Sequence, residues 1–135
     1  MKSQKYGVIA TQKDKYPYTN LVAYAPSSGL KSIFFATKQD STKYFNLINN
    51  PCVSMLIDNR KNQSSDIKKA SIVSAEGNAK NIIKNKKKVK KYLLEKHPEL
   101  AGFLNEPDCE LFELEINNYL FVDDFDNKKT LSMKR

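Results

Sequence analysis

Tryptophan is absent from this sequence, histidine occurs once, cysteine twice and glycine four times in 135 residues. The glycines are dispersed, which leaves no glycine-rich loop of the kind that cradles a nucleotide phosphate. With His97 alone there is no histidine pair for a metal, and no metal site is expected; any triad or general-base scheme would have to use that one imidazole. Cys52 and Cys109 stand far apart in apolar, strand-like contexts and lack zinc-ligand spacing. The expectation is two buried free thiols in a reducing compartment, the cytoplasm. No apolar run approaches the ~20 residues a helix needs to cross a bilayer. The start, MKSQKYGVIATQ, has no apolar signal core. No membrane partner is expected. Asp123 and Asp124 are paired carboxylates, but neighbours on a strand face opposite sides, which spoils them as an acid–base pair.

Lysine is what the chain has in excess. The formal net charge is +8, set against 40% hydrophobic residues and one domain's length. Much of that charge lies in KNKKKVKKYLLEK, where Val89 and Leu93, with the flanking Ile82 and Ile83, can form an inward stripe. The lysines then occupy a solvated opposite face. Zinc-finger spacing, an aromatic ribonucleoprotein motif and a helix-turn-helix pattern are all missing, so nucleic acid is not the expected partner.

The organisation is mainly β. YGVIATQ (6–12), YTNLVAYA (18–25) and KSIFFAT (31–37) read as strands joined by turns at KDKYP and PSSG. A helix starts at Asp40 or Ser41 and runs to Asn49 with Tyr44, Leu47 and Ile48 as its buried stripe; Pro51 ends it. CVSMLID (52–58) is a buried strand, the polar residues 59–70 a loop, and 71–82 a long strand in which Gly77 marks a bulge or a close backbone approach. The lysine-rich helix follows to Lys96, then a short helix over 97–104 with Pro98 in its first turn. CELFELEI (109–116) turns at Asn117–Asn118 into a last hairpin strand, YLFVDDF (119–125), and residues from about 126 to 135 read as a flexible tail. Short connections between strands imply antiparallel pairing and a small barrel, closed or partly closed, with helices over its ends.

The stretch FFATKQDSTKYFNLINNP carries the most chemistry. A turn that delivers a helix N-terminus offers unpaired amides and a favourable dipole to an anion. Thr37, Ser41 and Thr42 add hydroxyls, and Lys38 and Lys43 add point charges suited to a phosphate. An ordinary N-cap with solvated lysines would show the same residues, and both readings stand on physics alone.

The block PYTNLVAYAPSSGLKSIFFATKQDSTKYFNLINNPCVSMLIDNR resembles the pyridoxamine 5′-phosphate oxidase-like FMN-binding split-barrel superfamily, as do AEGNAK, KHPELAGFL and YLFVDDF further on. The ordered motifs run from about Tyr6 to Phe125 and are similar to a subgroup related to haem utilisation. The resemblance implies a homodimer of antiparallel split β-barrels, α+β and mainly β, with FMN at the dimer interface. By position, Ser41 and Lys43 match the family's Ser-x-Lys phosphate turn, with Thr42 between them and Thr37 at the end of the preceding strand. Asn20, Leu21 and Val22 fall on the strand that lines the flavin ring, and Asp58 and Arg60 end the next strand. Departures argue against vitamin B6 oxidation: Thr42 stands where the oxidase has Arg, Ile72 where a Gln is expected, and the C-terminal Trp and Arg have no counterpart. The resulting expectation is an FMN-dependent oxidoreductase acting on an unidentified small molecule, with no catalytic acid or base assigned. The alternative is a non-catalytic or haem-linked protein on the same fold, or one using another flavin-like cofactor, with His97 the sole imidazole ligand.

Overall fold

The structure is a computed structural model that describes residues 1, 3–123 and 127–133. Alternation along the first half of the chain becomes strands where it is expected: β1 (Tyr6–Lys13), β2 (Tyr16–Pro26), β3 (Ser32–Lys38), β4 (Cys52–Asp58) and β5 (Ile72–Asn81). Helix α1 (Thr42–Asn49) separates β3 from β4, and a single turn of helix, α2 (Asp66–Lys69), lies in the polar loop before β5. The lysine-rich helix is α3 (Lys86–Lys96); a 3₁₀ turn (Pro98–Leu100) and α4 (Ala101–Leu104) follow, then β6 (Cys109–Asp123) and β7 (Asn127–Ser132).

Pairing is antiparallel throughout, in the order β3-β2-β1-β4-β5-β6-β7, with β3 also paired to β6. That last pairing closes six strands into a barrel. The barrel is split because β6 is longer than β3: its first half, Cys109–Glu115, pairs with β3, and its second half, Asn118–Asp123, pairs with β7 on the same edge. Two expectations are corrected here. Asn117–Asn118 make no turn, since β6 crosses them as one continuous strand against β5. Residues Asn127–Ser132, expected in the tail, form β7; the expected strand's last two residues, Asp124 and Phe125, lie outside the described residues.

Period-two alternation turns Ile9, Val22, Tyr24, Phe35, Met55, Leu114 and Ile116 into the barrel core. Strand β3 is buried on both sides, which explains its continuous apolar run. Its outer face, with Phe34, lies under α3 and α4 in a second cluster containing Ala25, Val89, Leu93, Leu104 and Leu111. Gly77 sits where the β5–β6 register shifts, and a Cβ there would stand 1.9 Å from the Glu115 carbonyl oxygen, so no side chain fits. Three burial expectations fail. Ile48 and Ile83 are exposed, because Asn46 takes the inward position on α1 and Ile82 alone turns into the second cluster. Cys52 is exposed and Cys109 half-buried, both as free thiols.

Candidate functional site

At the lower rim of the barrel, β3 delivers the chain into α1. Ser41 is the N-cap, in extended conformation, and its Oγ accepts from the Tyr44 amide at 3.1 Å. The same hydroxyl donates to the Lys38 carbonyl at 2.8 Å, which leaves the buried Thr37 Oγ1, also at 2.8 Å, as donor to Ser41. Thr37 and Ser41 thus lock the turn, and their oxygens are already satisfied by the chain. Lys38 is occupied too: it pairs with Glu106 at 3.2 Å across the α4–β6 loop, and that hydrogen bond holds its ammonium above the usual lysine range.

What the turn leaves open is narrower than the sequence suggests. Neither the Thr42 nor the Lys43 amide has a hydrogen-bond partner among the described residues, and α1 has no acid in its first turn. Lys43 is half-buried, has no carboxylate partner among the described residues, and desolvation pulls its pKa below the ordinary lysine value. Two free amides at the positive end of a helix dipole, in the same first turn as a lysine whose ammonium is desolvated and uncompensated among the described residues, form an arrangement that a phosphate dianion would complete. The donor set fits a phosphate through Lys43 and the backbone, with Thr42 Oγ1 as a further hydroxyl.

The other expected residues are dispersed. On β2, Leu21 points outward and is 68% exposed, whereas Val22 is in the barrel core, where only its backbone could line a ligand. Asn20 lies on the same inward side as Val22, and its Oδ1 is buried without a partner, an acceptor the described chain does not use. Asp58 and Arg60 are at the opposite rim from α1, since β4 starts beside the end of α1 and runs the full barrel height to reach them. There they pair with each other at 3.2 Å. Within one chain they do not meet the Ser41–Lys43 turn.

Sequence reasoning missed a polar cavity of about 500 Å³ between the β1–β2 turn and α1, lined in part by Gln12, Asp14, Thr42, Phe45, Asn46 and Asn49. Asn46 is fully inside and donates to Thr11 Oγ1 at 3.0 Å, a buried polar pair between α1 and β1. The available signal is the amide-rich end of α1, NLINN, which in sequence looks only like a helix stop. On the outer sheet surface, register places Leu21, Val8 and Leu56 side by side across β2, β1 and β4, an apolar strip with Leu21 and Leu56 exposed.

His97 is fully buried, and its Nε2 stands 2.8 Å from the Tyr24 carbonyl, so this nitrogen carries the proton and donates. Its Nδ1 has no hydrogen-bond partner; Glu99 lies 3.6 Å away. Beside it, Lys96 Nζ sits 3.7 Å above the Tyr24 ring and donates to the Met1 carbonyl. Burial lowers the Lys96 pKa to about 8 and raises that of Tyr24 to about 12. This imidazole bridges α3 to β2 and is not presented to solvent.

A barrel of this topology with a helix after the third strand defines a split β-barrel. The profile of the family described as pyridoxamine 5′-phosphate oxidase matches residues 1–123, and the chain belongs to that family. Among solved structures it is similar to a heme binding protein from Mycobacterium smegmatis, with a TM-score of 0.86 and 16% identity over 96% of this chain and 53% of that one. General stress protein 26 from Bacillus anthracis gives 0.74 and 19% over 97% and 91%, and an FAD-binding protein from Mesorhizobium loti gives 0.70 and 16% over 89% and 86%. The chain therefore spans about half the length of the heme binding protein it matches. No curated protein sequence matches it significantly. No helix among the described residues is long and apolar enough to cross a membrane.

Proposed function

We propose that the protein binds FMN, holding the phosphate at the start of α1, and serves as a flavin-dependent oxidoreductase for a small molecule. The observation that carries this reading is Lys43, a desolvated ammonium with no carboxylate partner among the described residues, beside two unpartnered amides at an acid-free helix start. Thr37 and Ser41 hold the turn in shape, and Lys43 with the Thr42 and Lys43 amides meets the phosphate. Flavin supplies the redox chemistry when bound, and the chain contributes orientation and access. The β2 strand, through its backbone at Asn20, Leu21 and Val22, would face the ring system. The apolar strip of Leu21, Val8 and Leu56 suits a second copy of the chain, and in such a homodimer the distant Asp58 and Arg60 could reach the partner's flavin. Vitamin B6 oxidation is not proposed, because Thr42 and Ile72 replace groups that reaction's family members use.

The haem reading has less support from the residues present: His97, the sole imidazole, is fully buried and already donates to a backbone carbonyl. The test is titration of purified protein with FMN, followed by quenching of flavin fluorescence, alongside the absorption spectrum of whatever co-purifies. Saturable binding in the micromolar range or tighter is expected, and Lys43→Ala weakens it by roughly 10–100-fold, the range for a hydrogen bond to a charged group. No FMN uptake by the unaltered protein at micromolar concentration sinks the proposal.

A further inference from the structure

Lys84, Lys86, Lys87, Lys88, Lys90 and Lys91 fall within eight residues that contain no acid, so this segment holds six of the net eight positive charges. None of the six is within ion-pair distance of a described carboxylate. Helix α3 is fixed with its apolar stripe inward, Val89 and Leu93 packing in the cluster that contains Phe34 and Leu111, and the charge is held outward. Crowding cations at the positive end of a helix dipole opposes the fold locally, and an external polyanion would relieve that repulsion.

Two details narrow the class of polyanion. Ile83, immediately before the lysines, is 80% exposed, the largest exposure of any large apolar side chain among the described residues. Leu94, with Glu95 and the stems of Lys87, Lys90 and Lys91, lines a shallow groove on the same helix in which three lysines outnumber the one acid. A nucleic-acid backbone has no use for a protruding isoleucine. The means of reading or stacking bases are also missing, since the segment has no arginine and Tyr92 is stacked on Phe34 at 5.7 Å. A bilayer surface rich in anionic headgroups uses both features, charge at the phosphate level and one apolar side chain between headgroups.

We propose that Ile83 to Lys91 is a docking face for an anionic membrane surface, with α3 lying flat and only Ile83 dipping in. This peripheral mode crosses nothing and does not depend on the flavin reading. The experiment is flotation of the full chain with vesicles of phosphatidylcholine alone or with about one-third phosphatidylserine. Partition onto the anionic vesicles only is expected, with release by high salt. Each lysine near the surface contributes roughly fivefold, so the quadruple variant K84Q/K87Q/K88Q/K91Q should lose roughly several-hundred-fold. Ile83→Ser, which leaves the charge intact, should lose several-fold. Absence of partition at low salt overturns the proposal. So does equal partition of the protein and Ile83→Ser when duplex DNA strips both from the vesicles, a result that assigns the face to nucleic acid.

Discussion

Helices α1 and α3 both begin without an acid in the first turn and both carry lysine there, yet they are opposite kinds of place. At α1 the cap is built: Ser41 is extended, satisfied three ways, and presents one desolvated lysine beside two free amides. At α3 the cap residue, Asn85, sits in the left-handed region at φ 61° and makes no side-chain capping bond, and its lysines project into water. Counting charge would favour α3 as the anion site. Local structure favours α1, because an ammonium removed from water gains more from a small dianion than any one hydrated lysine does. The two starts suit different partners: a compact phosphate at one, an extended charged surface at the other.

The contrast can be broken most decisively by moving the charge. Lys43→Ala should cost FMN affinity roughly 10–100-fold, whereas Lys88→Ala should change it less than about twofold, as expected of a solvated charge screened by salt. Comparable losses in parallel titrations would erase the distinction.

A second comparison concerns the caps. Ser41→Ala removes an oxygen that accepts the Tyr44 amide and should destabilise the fold by about 1 kcal/mol. Asn85→Gly relieves a left-handed conformation and should be neutral or stabilising by up to ~1 kcal/mol. Urea midpoints at unchanged slope would measure both, and a destabilising Asn85→Gly would mean that this cap is doing work the geometry does not show.

The pH dependence sharpens the comparison further. Lys43 loses its proton at lower pH in the folded chain than in the unfolded one, so FMN affinity should fall as pH rises through that lowered value. Stability of the unliganded protein moves the other way. Lys96, lowered by burial from 10.5 to about 8, binds fewer protons folded than unfolded between those values, so stability rises with pH across that window. Above pH 10 the buried Tyr24 acts in the opposite sense, since its phenol stays protonated to about 12. Denaturation midpoints from neutral pH to about 10 should therefore climb, and Lys96→Met should flatten the rise. Only a modest effect is expected at Lys38: Glu106→Gln frees it from its ion pair, and FMN affinity should rise no more than about threefold.

Much of the barrel was legible because its first five strands are short runs of β-formers, alternating or, in β3, continuously apolar, punctuated by Pro, Gly and Asn. The second half misled for a physical reason: Asn117–Asn118 look like a turn, but Asn117 is the extra residue of a bulge in β6 opposite Glu76–Gly77 of β5, and the strand continues past it. The lysine- and threonine-rich β7 carries no apolar alternation and exists through pairing with β6. At the site, the hydroxyls and lysines were visible, but not their division of labour. That Ser41 is consumed as a cap, that Lys38 is taken by Glu106, and that Asp58 and Arg60 stand at the far rim depend on contacts between segments distant in sequence. Asn46 was hidden because an amide on an apolar stripe reads as a flaw until Thr11 is found opposite it.

The pairing of β3 with β6 also sets the order in which the molecule can be built. Phe35 meets Phe112 only after everything between them has been made, so a chain emerging from the ribosome holds β1 to β5 as an open sheet with bare edges. Closure is the step with the longest loop to order, and such non-local pairing slows folding. Weakening the β3–β6 seam would therefore show first as slow refolding and lost yield, before any change in the finished protein's affinity for its ligand.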